Sequence, residues 1–275
     1  MRLSRPLQAL LLASAATTAS AATIELTTVG SSGTSANGTI YNHAVIKAGT
    51  GVFQPFLRVQ DGGNNSNRQD GYNGDFKGND YPWDTKKGEW THPVQFSELT
   101  YGEIDGVGYY EFMLDINEPN ADGKQYISLD SVRIWASDDP KSDDYEVDGL
   151  PLFGNPLYDM DSAGDVTVIL NGGDIDKGSG RSDMAMYIPA SFFAGVDGSQ
   201  YMTFYSLFGA GNVEGFDLLA DGGFEEWSFR DCSNGDCEFP LGGGNGPSPV
   251  PLPGTLGLLS IGIAGLGLAR RKRAD

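Results

Sequence analysis

The stretch Tyr110-Glu111-Phe112-Met113-Leu114-Asp115-Ile116-Asn117 decides the fold. Tyr110, Phe112, Leu114 and Ile116 alternate with Glu111, Met113, Asp115 and Asn117. Successive side chains of a strand point to opposite faces, so this spacing builds one apolar and one mostly polar face. The same period recurs outward along the chain, at Val166-Val168-Leu170, Met184-Met186-Ile188 and Tyr201-Thr203-Tyr205-Leu207. Ile127 and Leu129 have one parity while Val132 and Ile134 have the other, which predicts a bulge near Asp130-Ser131. No run of ten residues carries helical spacing, and Gly, Asn and Asp clusters break the strands at short intervals. The expected domain is therefore all-β, an antiparallel β-sandwich of jelly-roll type, with an irregular barrel as the alternative. Phe53, Phe56, Leu57, Trp135, Phe192, Phe204 and Trp227 are the expected core.

Both ends are of another kind. Arg2 and Arg5 precede an apolar run from Leu7 to Ala16 and the small residues Ala19-Ser20-Ala21. That order predicts a secretory signal peptide over residues 1–21, cut after Ala21 by a signal peptidase. At the other end, Val250-Pro251-Leu252-Pro253-Gly254-Thr255 leads into an apolar run to Ala269 and then Arg270-Arg271-Lys272-Arg273. The apolar residues 255–269 predict a short membrane helix of roughly 22 Å, against about 30 Å of hydrocarbon. The basic cluster resists crossing and stays cytoplasmic, which puts the bulk of the chain outside. Residues 22–240 then form the exported domain, 241–249 a Gly/Pro linker, and 250–275 the tail.

This tail resembles the PEP-CTERM sorting signal: a short Pro motif (Val250, Pro251, Leu252, Pro253), an apolar span and a terminal Arg cluster. The resemblance implies cutting near the motif by a membrane-embedded exosortase, in bacteria that make an exopolysaccharide matrix. Leu252 stands where that motif carries Glu. Leu252-Pro253-Gly254-Thr255 also supplies four letters of the sortase signal L-P-x-T-G, but Leu256 replaces its Gly, which ranks that reading second. Gly51 to Gln60, Tyr109 to Phe112, Gly178 to Met184 and Gly223 to Trp227 resemble PEP-CTERM ectodomains, a resemblance that carries no activity with it. The expected location is the cell envelope or extracellular matrix after transient anchoring in the inner membrane.

The two ends hold six of the 18 basic residues and one of the 37 acidic ones, leaving 12 against 36 and a net charge of −24 for residues 22–249. Such a surface repels nucleic acid and anionic lipid and attracts divalent cations. Cys232 and Cys237, four residues apart around Ser233-Asn234-Gly235-Asp236, predict a disulfide across a tight turn, stabilising by about 2 kcal/mol.

Catalytic signals are few. His43 and His92 are the only histidines and sit in no ligand spacing, and there is no G-x-S-x-G elbow. Adjacent Glu225 and Glu226 point to opposite faces of a strand and make poor partners for glycoside hydrolysis. The chain reads as non-enzymatic, with no catalytic residues assigned. Asp61 to Asp80 is rich in Asn and Asp, and the loop after Asn171 supplies Asp174, Asp176 and Asp183. These three are the candidate calcium ligands, and the same composition also suits solvated turns. Tyr81, Trp83 and Trp90, near Tyr72 and amid Asn, Asp and Gly, form a candidate sugar platform, against the reading that they cap the core. The functional expectation is surface interaction in the envelope or matrix. The alternatives are a calcium-supported carbohydrate-binding module and a secreted polysaccharide hydrolase.

Overall fold

The computed structural model describes residues 21–43, 46–47, 53–60, 68–76, 81–118, 124–140, 154–173, 181–220 and 222–230. Sixteen strands follow in chain order, the first eight being β1 (Ala22–Leu26), β2 (Ser32–Thr34), β3 (Ile40–Asn42), β4 (Ile46–Lys47), β5 (Phe53–Val59), β6 (Gln69–Tyr72), β7 (Val94–Gln95) and β8 (Tyr101–Ile104). The other eight are β9 (Val107–Asp115), β10 (Tyr126–Ser137), β11 (Tyr158–Asp159), β12 (Val166–Asn171), β13 (Arg181–Ser182), β14 (Met184–Pro189), β15 (Tyr201–Phe208) and β16 (Glu225–Arg230). Two short 3₁₀ turns, Phe96–Glu98 and Ala190–Phe193, are the only helical pieces among the described residues.

Two seven-stranded sheets make a β-sandwich. The first runs β1-β12-β10-β15-β6, with β11 beside β10 and β7 beside β15; the second runs β2-β3-β14-β9-β16-β5, with β8 beside β9. A separate pair joins β13 to β4. Among the described strands every pairing is antiparallel except β1 with β12, which is parallel from Ala22↔Val166 to Leu26↔Leu170. Local sequence fixes at least one turn: Asp105 and Gly106, at φ of 51° and 78°, join β8 to β9 as a two-residue hairpin of the Asp-Gly kind.

The apolar face of β9 lands inside, with Tyr110, Phe112, Leu114 and Ile116 in the main core. Val166, Val168 and Leu170 of β12 and Met184, Met186 and Ile188 of β14 join them. The bulge is where β10's parity changes: its register with β15 shifts between Leu129 and Ser131, so Ile127, Leu129, Val132 and Ile134 all face the core. At the centre Phe204 lies 5.4 Å from Phe56, 5.2 Å from Phe112 and 4.8 Å from Trp227, ring to ring. Each such pair adds about 1 kcal/mol beyond the area it removes from water.

Strand β15 corrects the reading of its face. Met202, Phe204 and Phe208 point into the core, whereas Tyr205 belongs to a second cluster with Tyr72 and Trp135. Both faces of β15 are apolar enough to be covered, so alternation there fixes the strand and not its orientation. Trp135, expected in the core, is buried in that outer cluster, with its indole N–H donated to the Gly154 carbonyl at 3.0 Å. Phe192 is half-buried against the core, and the side chain of Phe53 lies outside the described residues.

Candidate functional site

On the outer face of the first sheet, rings from β6, β15 and the following loops form a chain. Tyr81 lies 5.2 Å from Phe76, Phe76 5.4 Å from Tyr72, Tyr72 5.4 Å from Trp83, and Trp83 5.9 Å from Tyr205. Tyr72 is fully buried, while Trp83 remains 39% exposed. Of the rings proposed for sugar contact, Tyr81 and Trp83 are thus linked only through Phe76 and the buried Tyr72. Trp90, also 39% exposed, has different neighbours. It lies 5.5 Å from the Arg58 guanidinium, which in turn sits 4.2 Å from the Phe224 ring.

Polar groups frame the Trp83 patch. The Tyr205 hydroxyl donates to Asp70 Oδ2 at 3.1 Å, and the Asp70 N–H donates to Asp84 Oδ2 at 3.1 Å. Arg68 approaches Asp70 at 3.8 Å. Burial pushes the Asp70 carboxyl up, with Arg68 and the Tyr205 hydroxyl opposing it and Asp84 adding to it. Burial also pushes the Tyr205 phenol up, helped by the neighbouring Asp70 charge. The phenol is thus a donor at neutral pH.

Two of the glutamates, Glu111 and Glu226, are ion-paired within the fold. Glu111, wholly buried on β9, accepts from Arg230 Nε and Nη2 at 3.0 Å each and from the Tyr187 hydroxyl at 3.2 Å. Glu226 pairs with Arg58, whose Nε donates to its Oε1 at 2.6 Å. On β16, Trp227 occupies the core and Glu226 faces Asp115 across the pair with β9, so Glu225 takes the opposite face from Glu226. Glu225 is completely buried, and desolvation, then the nearby Glu118 charge, pushes its carboxyl well above the usual range. The two adjacent glutamates cannot serve one cleft. Both ring nitrogens of His92 lie within hydrogen-bond distance of backbone carbonyls, Pro93 at 2.9 Å and Pro55 at 3.0 Å. His43 is buried.

Asp183, the one described member of the candidate calcium set, is 5% exposed and its Oδ2 accepts the Ile116 N–H at 2.7 Å. Burial pushes its carboxyl up to about 8, the Ile116 N–H opposing and Asp115 reinforcing the shift. Asp174 and Asp176 lie outside the described residues, as do Cys232, Cys237, the motif Val250 to Pro253, and Arg270 to Arg273. Among the described residues no group of three or more His, Cys, Asp and Glu is arranged to hold a metal ion. Nor is any helix among them long and apolar enough to cross a membrane.

The backing of Trp83 by Tyr205 escapes sequence reading, because 122 positions separate the two. The Arg58–Glu226 pair escapes it for the same reason, spanning 168 positions.

At the C-terminus, residues 249–273 match the PEP-CTERM protein-sorting motif. The motif marks an exported protein, held transiently at the membrane and recognised by an exosortase-type processing enzyme. A β-rich ectodomain precedes it. No curated protein matches the chain, and no solved structure does.

Proposed function

We propose that this chain is a non-enzymatic surface-interaction domain of the cell envelope or extracellular matrix, released or retained there by exosortase processing. The observation that carries the reading is the PEP-CTERM motif at residues 249–273, behind a sandwich whose buried Glu111 and Asp183 are hydrogen-bonded within the fold. A signal peptidase acts at the first end and an exosortase at the second, and exopolysaccharide is the surrounding partner. A calcium-supported carbohydrate-binding role is the second reading, favoured by the exposed Trp83 rather than by any ion site. A polysaccharide hydrolase is disfavoured by the opposite facing of Glu225 and Glu226 and by the ion pairing of Glu226 and Glu111.

Fractionation of the producing cells tests this. With an exosortase present the domain is recovered from the matrix or outer envelope; without one it accumulates in the inner membrane. Inner-membrane retention in both strains refutes the reading.

A further inference from the structure

Trp83 sits where elementary sterics would put a glycine. Its φ is 45°, in the left-handed region, inside a turn closed by the Thr85 N–H donating to the Pro82 carbonyl at 2.9 Å. A bulky side chain there costs about 1–2 kcal/mol, and such strain persists only where the surroundings impose it. The surroundings here are Tyr72 and Tyr205, which meet the Trp83 ring at 69° and 83° to its plane. The turn therefore spends conformational energy to hold one of the two large indoles that stay 39% in water. A packing role alone would favour full burial, because apolar area left exposed stabilises nothing.

Polar groups gather behind Tyr205 and at the chain neighbour of Trp83: Asp70 accepts the Tyr205 hydroxyl and is approached by half-exposed Arg68, and Asp84 accepts the Asp70 N–H. An electron-rich ring face next to carboxylates suits the C–H face of a pyranose, whose slightly positive hydrogens meet the ring while its hydroxyls donate to the acids. Charge selects among saccharides. A chain of net charge −19, acidic at this patch as well, repels uronate- or sulfate-bearing polymers.

We propose that Trp83, supported by Tyr72 and Tyr205, is a stacking site for a sugar ring of a neutral polysaccharide. The inference rests on the surface-interaction reading above and gives it a ligand class. Trp90, tied to the Arg58–Phe224 patch, lies outside this site.

Affinity electrophoresis of the processed protein in gels containing dextran, galactomannan, xyloglucan or the anionic alginate tests it, with melting midpoints measured alongside. The expected result is retardation by at least one neutral polymer and none by alginate. Trp83→Ala weakens that retardation at least tenfold, Trp83→Tyr keeps part of it, and Trp90→Ala leaves it unchanged. Trp83→Gly suits the positive φ and supplies a ringless variant that folds even if Trp83→Ala does not. Retardation by no neutral polymer overturns the site, as does equal retardation of wild type and a folded Trp83→Gly. So does a protein partner whose capture is lost with Trp83→Gly while no polysaccharide binds. Matrix localisation is scored in the same strains, so a failed sugar site with intact localisation leaves the broader reading standing.

Discussion

Replacing Asp183 by Asn should change how stability depends on pH more than it changes stability itself. Asp183 is buried at the start of β14, with its own N–H on the Leu114 carbonyl at 2.8 Å and its carboxyl oxygen on the Ile116 N–H at 2.7 Å. Its folded-state carboxyl titrates at about 8, raised from 3.8 chiefly by loss of water. Between roughly pH 4 and 8 the folded chain holds a proton that the unfolded chain has given up. Folding then takes up a proton, so its stability is greatest at the acid end and falls as pH rises, by about 1.4 kcal/mol per pH unit, levelling off above the folded value. Asn keeps an oxygen to accept the Ile116 N–H and does not titrate. The stability of Asp183→Asn minus that of the wild type should therefore grow by about 3.5 kcal/mol between pH 5 and pH 8. Glu225 and Asp161, also raised by burial, act in both proteins and cancel in the difference. Urea unfolding at pH 5, 6.5 and 8 reads it. A difference that stays constant across that range refutes the assignment of a buried, protonated carboxyl to this position.

Glu111→Ala leaves Arg230 buried without its partner and should cost about 3–5 kcal/mol by urea unfolding, whereas Glu111→Leu with Arg230→Met should recover much of the loss. Gly71→Ala puts a methyl 2.8 Å from Val59 Cγ1 and closer still to Thr85 Oγ1, the acceptor of the Tyr72 N–H. That crowding should cost about 2 kcal/mol, a fall of roughly 4–8 °C in the melting midpoint. Peptide mapping without reduction should recover Cys232 and Cys237 in one linked fragment; alkylation of both thiols in native exported protein contradicts the bond.

The sequence made the strands legible wherever one face is apolar and the other is not, or is polar for a local reason. β9 is the clear instance: Tyr110, Phe112 and Leu114 need the core, and Glu111 on the other face is tolerated because Arg230 and Tyr187 meet it. The bulge in β10 was equally readable, since an extra residue is the only way to keep Leu129 and Val132 on one side. β15 shows the limit. Tyr205 and Leu207 are as apolar as Phe204 and Phe208, and only the second ring cluster decides which face is which. The parallel pairing of β1 with β12 leaves no local trace either, because register between strands some 140 residues apart is set by packing. For the surface patch, the residue types were visible but their grouping was not. Trp83 and Trp90 are seven positions apart, yet they serve different neighbours, Tyr205 in one case and Arg58 in the other.

Intact-mass analysis of the protein recovered from the envelope and matrix of cells that carry an exosortase tests the central claim most directly. The account predicts a chain that begins at Ala22 and has lost the apolar span and Arg270-Arg271-Lys272-Arg273. Recovery of the intact basic tail as the sole species would contradict it.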